Sequence, residues 1–232
     1  MESRAHLPVV VIACQVFQHL LEARLPPTLS TTITFLDYGL HRIPRNLNTK
    51  IQDLIDSLPE PSLVVLGYGL CGNGMNGIRA GAHTLLIPRA DDCIAILLGS
   101  YRAYRQEFDA NPGTYYLSKG WLESGSNPLS EYQEYLKKYG AEKADWIIDQ
   151  QYQNYKRLVF IAHNQEELAR YRPQALEVAR FCQRWNMQYE EIIGSDSYVN
   201  RLAEVATTLE KAGDDFIIVP PGGELTQGQF IR

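Results

Sequence analysis

Two hydrophobic periods take turns along this chain. Short apolar runs rich in Val, Ile and Leu, bounded by turn-forming residues, occur at PVVVIAC (8–14), TITFLDY (32–38), SLVVLGYG (62–69) and TLLIP (84–88), and such runs read as strands. Between them QVFQHLLEAR (15–24) and NTKIQDLIDSL (48–58) space their apolar residues three and four apart, the period of a helix that buries one face. In the second of these, Ile51, Leu54, Ile55 and Leu58 form a single stripe. DDCIAILLGSYRAYRQEF (91–108) reads as one longer helix whose apolar first half lies against the sheet.

The alternation breaks in the middle of the chain. NPGTYYLSKGWLESGSNPLSEYQEYLKKYG (111–140) is rich in Tyr, Gly, Ser and Pro, and helical periodicity resumes in EKADWIIDQQYQNYK (142–156). RLVFIAH (157–163), NQEELARYRPQALEVARFCQRW (164–185), MQYEEIIG (187–194), DSYVNRLAEVATTL (196–209) and DFIIVPPGG (215–223) then restore the strand–helix rhythm. Pro173 lies inside the long helix, where the missing N–H and the ring's clash with the preceding turn predict a kink or a split. The pattern specifies an α/β fold, a three-layer sandwich with a mostly parallel sheet and a flavodoxin-like strand order. Its domain reading is a single α/β domain over 1–232 with an inserted helical, aromatic-rich segment at about 109–155. Two α/β lobes, 1–150 and 151–232, are the alternative.

Charge then narrows the partners. With 22 Lys and Arg against 27 Asp and Glu, a formal net charge of -5, the 232 residues offer no basic face for a polyanion, so nucleic acid is not an expected partner. The opening MESRAHLPVVVIACQVF has one short apolar run and no cleavage-type signal, and no later stretch has bilayer length. A cytoplasmic protein without a membrane partner is expected. In that compartment the four cysteines are free thiols rather than a disulfide framework.

Three of those thiols fall at one place. In a parallel sheet the C-terminal ends of all strands share an edge, and ligands bind there where the strand order reverses. Cys14 closes the first strand and opens the helix after it, Cys71 follows the third strand, and Cys93 lies just beyond the fourth, in the first turn of a helix that Asp91 is placed to cap. In the order 2-1-3-4 the three loops project from neighbouring strands about 4.8 Å apart, close enough for one site. Helix N-termini favour thiolate, the form that binds metal. Gly69, Gly72 and Gly74 let the backbone beside Cys71 approach a ligand. Cys182, in an amphipathic stretch, reads as a small core hydrophobe. His41, on the same edge after the second strand, is the best further metal ligand and His163 the second. Three thiolates with an open position suit zinc or an iron–sulfur cluster, and the spacing does not choose between them.

The loop GYGLCGNGMNG (67–77) also matches G-x-G-x-x-G after a strand, with Asp91 about twenty residues on. A dinucleotide site needs a helix opening at the third glycine, and Gly74, Gly77 and Gly81 each cost a helix about 1 kcal/mol there. The match is therefore incidental. Gly72, Asn73 and Gly74, with Arg89, Asp92 and Ser100, are expected to bind a small polar or anionic substrate. Tyr115, Lys119 and Trp121 are read either as a lid over it or as part of an edge strand.

Read together, GYGLCGNG, IPRADDCIAILLGS and PGTYYLSKGWLE resemble the blocks of a bacterial and archaeal family, domain of unknown function 1638, over about residues 8 to 205. Members also begin with a strand that ends in an ACxV-like element, here ACQV (13–16), so Cys14, Cys71 and Cys93 all stand within the resembling blocks. The resemblance implies no established reaction; it implies proximity of some members to corrinoid-dependent methyl-transfer systems. Three function classes are expected. The first is an enzyme using a three-cysteine zinc or iron–sulfur site for methyl transfer, desulfuration or dehydration. The second is a metal-free thiol enzyme of racemase type. The third is a cofactor or metal carrier that docks partners through 111–140.

Overall fold

The computed structural model describes residues 7–25 and 33–232, with the side chains of His41 and Arg42 outside the description. In chain order its elements are β1 (Val9–Cys14), α1 (Gln18–Arg24), β2 (Ile33–Leu36), α2 (Pro44–Asp56), β3 (Leu63–Gly67), β4 (Thr84–Pro88), α3 (Cys93–Leu97), α4 (Tyr101–Ala110), β5 (Thr114–Ser118), α5 (Lys119–Glu123), α6 (Pro128–Tyr139), α7 (Ala141–Tyr152), β6 (Arg157–Ala162), α8 (Gln165–Cys182), β7 (Gln188–Ile193), α9 (Ser197–Thr207) and β8 (Phe216–Val219). They group into two compact units. One comprises the chain up to Tyr101 together with Asp196–Arg232, the other Arg102–Ser195.

In the first unit the described strands form a sheet of order β2-β1-β3-β4-β8. The first four run parallel in the flavodoxin-like order, and β8 pairs antiparallel with β4, Leu85 opposite Val219. Strand β3 is central, and every one of its residues is buried, which is why LVVLG is uniformly apolar rather than alternating. On one face Ile12, Val64, Leu66, Leu85 and Ile87 pack against Leu47, Ile51 and Ile55 of α2. On the other face Ala13 and Gly67 are partners in register. A Cβ on Gly67 would lie 2.6 Å from the Ala13 Cβ and 3.5 Å from Leu21 of α1, so glycine sets how closely strand and helix approach. Helix α9 adjoins both α1 and α3, completing a three-layer arrangement.

The second unit holds a parallel sheet of order β5-β6-β7. Strands read from the sequence as a continuation of one sheet therefore build a second. Leu117, Leu158, Phe160 and Ala162 pack against Ile148 and Tyr152 of α7 and Leu168, Tyr171, Ala175 and Val178 of α8. Cys182 sits fully buried in this core, as its amphipathic position implied. The segment 109–155, read as an insertion, supplies one strand and three helices of this unit, whose remaining elements run on to Ser195. Much of the aromatic content of 111–140 is absorbed here: Tyr115, Trp121, Tyr132 and Tyr135 pack onto the core, while Tyr139 is exposed.

Two helix expectations change. The stretch 91–108 is not one helix but α3 and α4, because Gly99 takes a left-handed φ of 87° between them, and a left-handed residue terminates a right-handed helix. Conversely, α8 continues from Gln165 to Cys182 through Pro173. The proline is on the exposed side, and the buried face anchored by Leu168, Tyr171, Ala175 and Val178 keeps both halves on the sheet.

Candidate functional site

The three cysteines are placed by the connections that follow β1, β3 and β4 of the first unit. Cys14 is the last residue of β1, Cys71 lies four residues past the end of β3, and Cys93 is the first residue of α3, just after β4. Strands β1, β3 and β4 are adjacent, and β1/β3 is where the strand order reverses. The sulfurs are near enough to affect one another's ionisation: Cys14 raises the proton affinity of Cys71, and both raise that of Cys93. Cys14 opens a single 3-10 turn (15–17), and α1 starts only at Gln18.

The loop that carries Cys71 is held mainly through its backbone groups. Cys71, Gly72 and Asn73 are successively left-handed, with φ of 49°, 61° and 74°. Two non-glycine residues in that region cost free energy that the surrounding structure must impose. The imposing contacts are visible. Leu70 N–H donates to the Ala90 carbonyl at 2.8 Å and Cys71 N–H to that of Asp91 at 3.0 Å, so the loop after β3 lies directly on the loop after β4. Asn48 of α2 donates to the carbonyls of Gly74 and Asn76 at 3.0 and 2.9 Å, and Gly77 N–H donates to the Leu225 carbonyl at 2.7 Å. Residues 71–77 form turns, with no helix at the third glycine of G-x-G-x-x-G, as the run of glycines predicted.

The expected cap and the expected electrostatics are corrected. Asp92, not Asp91, caps α3: its Oδ1 accepts from Ile94 N–H at 2.8 Å. The helix start does not make Cys93 acidic. Burial pushes the thiols up, Cys14 to about 11 and Cys71 and Cys93 well above the ordinary cysteine value. Neighbouring negative groups add to this, Asp37 beside Cys14 and Asp92 beside Cys71 and Cys93. Backbone amides act the other way: that of Val16 on Cys14, and those of Gly69 and Cys93 on Cys71. Desolvation outweighs them, because a few amide dipoles do not replace the hydration of an anion. Burial likewise lifts the Asp92 carboxyl to about 6.

One residue beside these thiols escaped the sequence reading. Tyr68, immediately after β3, is 3 % exposed, its ring packs in the apolar core of this unit, and among the described residues its hydroxyl has no hydrogen-bond partner. The Cys14 and Cys71 sulfurs both act on its ionisation, so they lie within electrostatic reach of it. A tyrosine between two glycines at a strand end was the available signal. Asp37, which caps the turn after β2 by accepting from Gly39 N–H at 2.7 Å, was also missed.

The other sequence-selected residues are distributed as follows. Gly72, Asn73, Gly74 and Asp92 share the cysteine loops, and Ser100 follows α3 in the same unit. Arg89 donates from its main chain to the Asp215 carbonyl at 2.8 Å, and one arm of its guanidinium donates to the Ile231 carbonyl. Tyr115, Lys119, Trp121 and His163 belong to the second unit. Tyr115 lies on the edge strand β5 and meets Tyr152 and Tyr155 edge-on. Lys119 stands 5.8 Å over the Tyr171 ring, and Trp121 packs on that unit's core. The side chain of His41 lies outside the described residues.

Among the described residues no three His, Cys, Asp or Glu side chains stand in a group that could hold a metal ion as they are. The donor set has the chemistry of a metal site nonetheless. Three soft sulfur donors sit within electrostatic reach of one another, backbone amides favour their thiolates, and two of them, Cys14 and Cys71, are within reach of the Tyr68 hydroxyl; a cation would reverse the penalty on the thiolates.

The family model described as Protein of unknown function (DUF1638) matches residues 35–203. The chain belongs to that family. The matched stretch contains Cys71 and Cys93 and begins after Cys14. No curated protein and no solved structure matches this DUF1638 chain. No helix among the described residues is long and apolar enough to cross a membrane.

Proposed function

We propose that this DUF1638 protein is a cytoplasmic metalloenzyme in which Cys14, Cys71 and Cys93 hold zinc or an iron–sulfur cluster. Such a site would bind and activate a small polar or anionic substrate, in chemistry of the methyl-transfer, desulfuration or dehydration type. The carrying observation is that the connections after three neighbouring strands bring three thiols within electrostatic reach of one another at the switch point of the sheet. When bound, the metal supplies a Lewis acid. The chain's own part is to present the sulfurs, to hold them with the amides of Val16, Gly69 and Cys93, and to offer Gly72, Asn73 and Gly74 to a substrate.

A metal-free thiol enzyme fits less well. Such chemistry needs a thiolate, and burial holds all three thiols in the neutral form, with backbone amides the groups that oppose it.

The test is anaerobic purification with metal and sulfide analysis of the wild type and of Cys14→Ala, Cys71→Ala, Cys93→Ala and Cys182→Ala. Stoichiometric metal that requires each of the first three cysteines, and is indifferent to Cys182, is the expected result. A wild-type protein that holds no more than trace metal, even after anaerobic reconstitution, would overturn the reading.

A further inference from the structure

We propose that the Tyr68 hydroxyl donates a hydrogen bond to a small anionic ligand at the open position of the three-cysteine site. The inference rests on the metal reading above and adds a ligand class and a recognition group to it. Three observations place the hydroxyl there. Tyr68 follows β3 directly, so the sheet fixes its backbone, and its ring is held among buried apolar residues that include Leu47, Leu66 and Met75. The hydroxyl is within electrostatic reach of both Cys14 and Cys71, which pack against the same apolar cluster as its ring, and it hydrogen-bonds neither sulfur. Only 3 % of the residue is exposed, and among the described residues no group accepts its proton.

A buried donor without an acceptor is costly, and such groups in folded proteins call for an explanation. Tyr68 is within electrostatic reach of the Cys14 and Cys71 thiols, so an acceptor bound among them would relieve the cost. A tyrosine hydroxyl is a donor throughout the physiological range. A donor next to a metal's open position favours a ligand that brings negative charge and a lone pair, such as a carboxylate, a thiolate or a small inorganic anion. Gly69 and Gly72 flank Cys71 without side chains. Among the described residues a Cβ on Gly72 would meet only Pro44 within 4 Å, at 3.6 Å.

The experiment uses the full chain loaded anaerobically either with cobalt(II) or with iron and sulfide, whichever form depends on Cys14, Cys71 and Cys93. Azide is titrated against the wild type and Tyr68→Phe, and binding is followed in the optical spectrum. Tyr68→Phe is expected to retain wild-type metal stoichiometry and to bind azide about ten- to a hundred-fold more weakly, the worth of one hydrogen bond to a charged acceptor. The ligand-free variant should melt at or above the wild-type temperature, because it loses only an unsatisfied hydroxyl; a tyrosine with a structural role would melt lower. Equal azide affinity in the two proteins, or no azide binding by either, overturns the role of Tyr68 and leaves the metal site standing. Failure of both metal forms to load overturns the site and the role together.

Discussion

Gly69→Ala tests whether the two cysteine loops are locked together by backbone contact. A Cβ at position 69 would lie 2.8 Å from the Ala90 carbonyl oxygen and 2.9 Å from both Cα and carbonyl carbon of Asp92, whereas ordinary contact begins at 3.4 Å. The loops must then part by about 0.6 Å, the difference of 3.4 and 2.8 Å. Backbone gives less readily than the end of a flexible side chain, so the shift falls on the two bonds joining the loops, Leu70 to Ala90 and Cys71 to Asp91. Overpacking costs about 1–3 kcal/mol, and each weakened hydrogen bond adds up to about 1 kcal/mol. The expected loss is roughly 2–4 kcal/mol, or a melting temperature lowered by about 4–16 °C for a chain of this size. Because Cys71 and Cys93 belong to the separated loops, metal affinity should fall as well. Gly228→Ala is the control: its Cβ meets nothing within 4 Å, so its effect should stay within about 0.5 kcal/mol. Thermal unfolding by circular dichroism, paired with metal stoichiometry, reads both quantities. A Gly69→Ala protein that melts with the wild type and loads metal equally would refute the close approach.

Two further outcomes follow from the same structure. Pro173→Ala should raise the melting temperature by the equivalent of about 1–3 kcal/mol, since the site is exposed and a new N–H can donate to the Ala169 carbonyl within the already continuous α8; an unchanged or lower melting temperature counts against that account. The metal-free protein should lose stability as pH rises above about 9. Cys14 ionises near 9.0 when unfolded and near 11 when folded, so between those values the unfolded chain binds fewer protons and the slope of stability with pH is negative. That thiol contributes about 1.4 kcal/mol of the loss by pH 10, one unit above its unfolded value, and urea unfolding at pH 8 and pH 10 of the wild type and Cys14→Ala would detect it. A wild-type loss no larger than that of Cys14→Ala would refute the assignment.

How far the site was legible depended on topology. Cys14, Cys71 and Cys93 were selected because each follows a strand of uniform apolar character, and the order 2-1-3-4 puts those strand ends side by side. Their ionisation was misjudged, since a helix start suggests an acidic thiol and only packing reveals that the sulfurs are desolvated. Tyr68 was missed for the same reason: nothing in GYGLCG says which way the tyrosine turns or that its hydroxyl ends without a partner.

The sequence by itself determined the strands, the helical faces and the α/β class, because these follow from local periodicity and from glycine and proline chemistry at single positions. Uniformly apolar LVVLG could only be a strand covered on both faces, and the glycines after Cys71 ruled out a helix there. The tertiary structure decided the rest. It separated 102–195 as a second unit with its own sheet, set β8 antiparallel, and split 91–108 at Gly99 while carrying α8 through Pro173. It also left three half-buried thiols desolvated, two of them within electrostatic reach of a hydroxyl that has no partner among the described residues. These outcomes depend on which distant segments meet, and desolvation arises only where they do.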